Sequence, residues 1–103
     1  MSAAAPKLSL VIPCYNEAPT LPELVARTAD ALEASPLAAA DFELLLVDNG
    51  STDDSRAVLH ALAADHGFLR VVPIDDNRGY GHGVMTGLRA ARGEALATSH
   101  ADL

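Results

Sequence analysis

The stretch Phe42-Glu43-Leu44-Leu45-Leu46-Val47-Asp48-Asn49-Gly50-Ser51-Thr52-Asp53-Asp54 is the most apolar run of the chain, and it empties at once into a polar one. A short continuous apolar run closed by turn residues reads as a strand buried on both faces, here 42–47, with a loop and a helix start behind it. Earlier, Val11-Ile12-Pro13-Cys14-Tyr15-Asn16-Glu17 repeats the pattern, a strand over 8–12 closed by Pro13. In open α/β sheets, ligands sit beyond the carboxyl ends of the strands, so these two loops are where chemistry is expected.

Outward from these runs, strands and helices alternate. Thr20-Leu21-Pro22-Glu23 has the form of a capping box with proline in the first turn. It predicts a helix over 20–33 with Leu21, Leu24, Val25, Thr28, Ala29 and Leu32 on one face. Ser51 or Thr52 is expected to cap the next helix, with Val58, Leu59, Leu62 and Ala63 inward and His66-Gly67 as its stop. A third strand over 69–74 contains Pro73, which places it near a sheet edge. A glycine-rich helix over 80–92 and a fourth strand over 95–99 complete the order β-α-β-α-β-α-β, with the first strand central. That order predicts an α/β fold with a mostly parallel open sheet and flanking helices, Rossmann-like, in one domain over 1–103.

Composition narrows the function classes. Half of the 103 residues are apolar, enough for one modest core. Seven basic against fourteen acidic side chains leave a net charge of −7, which argues against nucleic acid or an anionic membrane as a bulk electrostatic partner. A phosphate ligand would need a local remedy, a metal ion or one well-placed arginine. Cys14 is the only cysteine, so no intramolecular disulfide forms and a reducing, cytoplasmic location is expected. The first ten residues hold one lysine and no long apolar run, so neither a signal peptide nor a membrane anchor is expected.

The loop residues supply the candidate site. Asp48 ends a buried strand with no capping position to fill, and its carboxylate can accept hydrogen bonds from a nucleobase or ribose; the alternative is a plain turn. Asp53 and Asp54 read as acids favouring a helix N-terminus. Tyr15, one of four aromatic residues, can lay its ring on a base, ordinary packing being the alternative. Arg78, within Asp76-Asn77-Arg78-Gly79, can supply the cation a diphosphate needs, although exposed arginines are commonly just solvated. Asp102, after the fourth strand, is a candidate ligand for Mg²⁺ or Mn²⁺.

The series Val11-Ile12-Pro13-Cys14-Tyr15-Asn16-Glu17, Val47-Asp48-Asn49-Gly50-Ser51-Thr52-Asp53, Asn77-Arg78-Gly79 and Ala101-Asp102 resembles the nucleotide-binding half of family 2 glycosyltransferases of the GT-A fold, in the right order and over nearly the whole chain. The resemblance implies an inverting transfer of sugar from a UDP- or GDP-linked donor to an acceptor, assisted by Mg²⁺ or Mn²⁺. By position it implies Pro13, Tyr15 and Glu17 around the base and ribose, Asp48 at the base, Arg78 near the diphosphate and Asp102 on the metal. Gly79-Tyr80-Gly81-His82-Gly83, followed by Thr86-Gly87-Leu88, is similar to the polyprenyl-phosphate sugar transferases. That implies a polyprenyl-phosphate acceptor and a position at the inner face of a membrane.

Two departures qualify the resemblance. The family's acidic motif has an acid where His100 stands here, and the acceptor half lies after Leu103. This chain is therefore expected to supply only the donor portion, to show no transfer alone, and to self-associate through an exposed edge of the fourth strand. The competing readings are a non-catalytic nucleotide-binding or interaction module and a dinucleotide-binding oxidoreductase domain. The latter needs G-x-G-x-x-G after the first strand, and that loop has no glycine.

Overall fold

The computed structural model describes residues 5–99. Strands β1 (Leu8–Cys14), β2 (Phe42–Asn49), β3 (Leu69–Ile74) and β4 (Ala95–Thr98) alternate with helices α1 (Leu21–Ala34), α2 (Ser55–Asp65) and α3 (Tyr80–Ala90), and a 3-10 turn (Ala39–Asp41) precedes β2. The strands form one parallel sheet in the order β3-β2-β1-β4. β1 is an inner strand, as expected, and β3 with its Pro73 lies at an edge. Among the described residues no helix is long and apolar enough to cross a membrane.

All eight residues of β2 are buried, because its alternating side chains meet helices on both faces. Phe42, Leu44 and Leu46 pack with Ile12, Cys14, Leu21, Leu24, Val25 and Leu59 on the side of α1 and α2. Leu45 and Val47 pack with Val11, Ile74 and Leu88 on the side of α3. The glycines of α3 set how closely that helix approaches. A Cβ on Gly87 would collide with Val11 and stand 2.7 Å from Val47, so only glycine lets the helix lie this near β1 and β2. On the α1 face, a groove of about 350 Å³ runs along β1 between Leu8, Leu10, Thr28, Leu32 and Phe42.

Several boundaries differ from the sequence reading, among them the end of β2, which runs on to Asn49, and that of β4, which stops at Thr98. β1 runs through Pro13 to Cys14. Pro13 shares the orientation of Val11, whose carbonyl accepts from Ser99 N–H at the end of β4, so its missing N–H costs no bond to β2. The capping box does not form: Thr20 is helical and its hydroxyl donates to the carbonyl and carboxylate of Glu17. α2 starts at Ser55 rather than after Ser51 or Thr52, and α3 stops at Ala90 because Arg92 N–H donates to Glu43.

Glu43 is 3 % exposed, on the α3 face near the start of β2. Its carboxylate accepts from Ser9 Oγ (2.7 Å), Arg92 N (2.6 Å) and Arg70 Nη1 (2.9 Å), and Arg70 Nη1 also donates to the Ala90 carbonyl at the end of α3. Burial opposes ionisation, but the Arg92 N–H, the Ser9 hydroxyl and the Arg70 guanidinium outweigh it and hold the carboxyl at about 2. A carboxyl depressed from 4.5 to about 2 contributes stability that is complete above 4.5 and is lost as pH falls towards 2. In urea titrations across that window, the wild type should lose on the order of 3 kcal/mol more stability than Glu43→Gln.

Candidate functional site

Parallel strands bring their carboxyl ends to one edge, where the loops after β1, β2 and β3 meet. The alternation along β2 then divides its last two residues between the faces: Asp48 turns to α2 and Asn49 to α3. The Asp48 side chain is fully buried, with Oδ1 accepting from Ser51 N (3.1 Å) and Oδ2 from Arg56 Nε (2.6 Å). Arg56 also donates from Nη2 to the Ile74 carbonyl (3.1 Å), and its Nη1 lies 3.6 Å from Asp75 Oδ1. One guanidinium thus joins the ends of β2 and β3 to the first turn of α2. Asn49 Nδ2 donates to the Gly79 carbonyl (3.2 Å), while its buried Oδ1 has no partner among the described residues.

The first two loops are tied by Asn16, a non-glycine residue at φ 52°. Its Oδ1 accepts from the backbone N–H of Thr52 (2.8 Å) and Asp53 (3.2 Å), and its own N–H donates to Ser51 Oγ (3.1 Å). Beside it, Glu17 N–H donates to the buried Ser55 Oγ (3.0 Å). The second and third loops touch at Gly50, φ 72°, where any Cβ would strike the backbone of Asn77.

The residues singled out from the sequence fall into distinct settings. Pro13 is buried at the end of β1, and a Cβ on Gly83 of α3 would lie 3.4 Å from its ring. Tyr15 is 46 % exposed at the rim, and Glu17 is half-buried with its carboxylate accepting from Thr20. Arg78 is exposed in the loop that touches Gly50. His100 and Asp102 lie outside the described residues. Among the described residues no three His, Cys, Asp or Glu side chains stand together as a metal-ion set. Asp53 keeps the helix-start role expected of it: Oδ1 accepts from Ser55 N–H, and the Ser55 hydroxyl, with this N–H adding to it against burial, lowers its pKa.

Burial, with the charges of Glu17 and Asp48 adding to it, pushes the Cys14 thiol up to about 12. It is a protonated core group with no nucleophilic character. Sequence reasoning missed Arg56, Asn16, Asn49 and Ser55 as parts of the site. Asn16 had one legible signal, since asparagine is enriched at positive φ in loops; the partners of Arg56 are set by a strand-to-helix geometry that no local pattern encodes.

The sheet order, the helix placement and the clustered loops define a Rossmann-like GT-A architecture. Residues 9–103 match Glycosyl transferase family 2, and the chain belongs to that family. It is similar to undecaprenyl-phosphate 4-deoxy-4-formamido-L-arabinose transferases, at 46% identity over 99 residues in Sodalis glossinidius and 42% over 98 in Pseudomonas fluorescens strain SBW25. These alignments cover 94% and 93% of the chain but only 29% and 28% of those relatives. Among solved structures it is similar to the mannosyltransferase PcManGT from Pyrobaculum calidifontis in complex with GDP-Man and Mn²⁺, with TM-score 0.76, 30% identity and coverage of 96% of this chain and 28% of that one. Residues 1–349 of S. aureus TarS in complex with UDP-GlcNAc give TM-score 0.76 at 26% identity, over 93% of this chain and 26% of that one.

The buried pairing gives Asp48 a structural load that the sequence reading did not assign to it. Asp48→Ala leaves Ser51 N–H and the Arg56 guanidinium without their acceptor and should lower unfolding free energy by about 2–4 kcal/mol. Chemical denaturation of the purified variant checks this, and a loss within 0.5 kcal/mol (roughly the effect of a neutral surface change) would contradict it.

Proposed function

We propose that this chain forms the donor-binding portion of an inverting glycosyltransferase that takes a UDP- or GDP-linked sugar and passes the sugar to a polyprenyl phosphate. The observation that carries the donor reading is Arg78. Of seven basic side chains, Lys7, Arg27, Arg56, Arg70 and Arg92 are engaged in ion pairs among the described residues. Arg78 and Arg89 are not, and only Arg78 stands at the carboxyl edge, since Arg89 lies in the last turn of α3. In an acidic protein, an uncommitted guanidinium at the ligand-bearing edge suits a diphosphate.

In this reading Pro13, Tyr15 and Glu17 surround the base and ribose, with the exposed Tyr15 ring placed to stack and the Glu17 carboxylate, whose Oε2 already accepts from Thr20, accepting from ribose hydroxyls through Oε1. Asp48 stands at the base end; a direct contact from it requires one oxygen to exchange Ser51 or Arg56 for a base N–H. Mg²⁺ or Mn²⁺ belongs to the proposal through Asp102, and the Mn²⁺ in the Pyrobaculum complex supports it. When bound, the ion would neutralise charge on the leaving diphosphate. The acceptor follows the undecaprenyl-phosphate relatives, and an anionic phosphate needs no general base to activate it. A cytoplasmic position at the inner face of a membrane belongs to the same proposal, since donor and lipid phosphate would meet there.

Calorimetric titration with UDP and GDP, with and without Mn²⁺, tests this. One nucleotide should bind, more tightly with metal, and Arg78→Gln should weaken the diphosphate more than the corresponding nucleoside. Silence from both nucleotides on a folded sample rejects the reading, whereas binding without transfer to polyprenyl phosphate matches a donor portion alone.

Self-association along β4 is a further part of the proposal. Its outer edge has no neighbouring strand among the described residues, and Leu96 on it is 51 % exposed. Light scattering should give a mass above the monomer, and a strictly monomeric species would remove this element.

A further inference from the structure

We infer that Asn16 is a positioning residue for nucleotide binding, whose amide holds the first two loops in their binding geometry and closes the helix start beside them to phosphate. This rests on the donor-binding reading above. A nucleotide that lies across Tyr15 and Asp48 touches two loops that belong to different βα units. Each loop is free to move unless something other than the ligand couples them. Beside the single bond from Glu17 N–H to Ser55 Oγ, Asn16 supplies that coupling with two backbone N–H groups on Oδ1, Thr52 Oγ1 within 3.2 Å of Nδ2, and its own N–H on Ser51 Oγ.

The residue type is suited on three counts. Its backbone is at φ 52°, a region that asparagine, aspartate and glycine enter at small cost. Its side chain must accept from two N–H groups and donate to a hydroxyl, which an amide does and a carboxylate or alkyl group does not. It must also be uncharged, because Glu17, Asp53 and Asp54 already crowd this end of the molecule.

The same bonds have a second effect. Backbone N–H groups just ahead of a helix attract anions, and those of Thr52 and Asp53 precede α2. With Asn16 Oδ1 seated on both and Asp53 Oδ1 on Ser55 N–H, that seat is filled from within. A bound diphosphate is thereby directed away from α2, towards the loop that carries Arg78, and the base is left on the Tyr15 and Asp48 side.

Three variants separate backbone conformation from side-chain bonding: Asn16→Gly keeps the positive φ and loses the amide, Asn16→Ala loses both, and Asn16→Asp keeps the φ and both backbone contacts. UDP and GDP affinities, melting temperature and exchange rates of the Thr52 and Asp53 amides are measured for each in the full chain. Asn16→Gly and Asn16→Ala should weaken nucleotide binding by about tenfold and expose both amides to exchange, with melting nearly unchanged in Asn16→Gly and lowered by a few degrees in Asn16→Ala, which does not enter the positive φ at small cost. Asn16→Asp should restore amide protection, because its carboxylate still accepts from both N–H groups, and recover part of the affinity, the remainder being lost to the added charge beside Glu17, Asp53 and Asp54. Wild-type affinity in Asn16→Gly overturns the inference while leaving nucleotide binding intact, and so does a parallel fall of melting temperature and affinity in all three variants. Silence of the wild type towards both nucleotides, with Thr52 and Asp53 protected, overturns the donor-binding reading itself and this role for Asn16 with it.

Discussion

Two carboxylates lie inside a strand that is buried from end to end, and much of the remaining architecture answers to them. A buried charge is tolerated only when paired and hydrogen-bonded. Glu43, on the α3 face near the start of β2, draws Arg70 from β3, Arg92 from beyond α3 and Ser9 from β1. Asp48, on the opposite face at the other end, draws Arg56 from α2 and the Ser51 amide from its own loop. One set fastens the amino ends of the strands to the last turn of α3, and the other fastens the carboxyl ends to the first turn of α2. The chain commits three of its seven cations to this task, and that commitment is what makes Arg78, in no ion pair among the described residues, informative.

The division of the site follows from the same strand. Because successive residues of β2 face opposite ways, Asp48 and Asn49 serve different loops although they are neighbours in sequence. Asp48 organises the 50–53 segment and, through Arg56, the end of β3, while Asn49 reaches the Gly79 carbonyl at the entrance to α3. Asn16 then joins the first loop to the second from outside the sheet. The candidate site is thus assembled from three βα connections, each held by a polar side chain whose partner lies on another connection.

The element order, the parallel sheet and the edge position of β3 were legible in the sequence, because they depend on runs of apolar residues and on Pro73, which are local signals. The apolar faces of α1 and α2 were legible for the same reason: Leu21, Leu24, Val25 and Leu59 are all buried. The caps were misread, since Thr20, Ser51 and Thr52 have the right chemistry for helix starts, but Glu17 and Asn16 compete for their hydroxyls and amides. Asp48 was legible as a position at the sheet edge but not as half of a buried ion pair. The contacts that Asn16 makes span 35 to 37 residues, and that of Arg70 with Glu43 spans 27. Such pairings arise only once the sheet has assembled, so a reading that moves along the chain meets both partners without a reason to connect them.

The sheet does not hold its four strands with equal force. β4 joins β1 through only four aligned pairs, from Leu8 with Ala95 to Val11 with Thr98, which are partners nearly the whole chain apart. Closing that loop carries the largest entropic cost of any pairing in the sheet, while the gain is smallest, because Ala95, Leu96 and Thr98 remain exposed. β1 and β2, by contrast, share seven aligned pairs and bury nearly everything between them. Among the described residues β4 is therefore the strand held least by the sheet, while the loops after β1, β2 and β3 are fastened to one another without it.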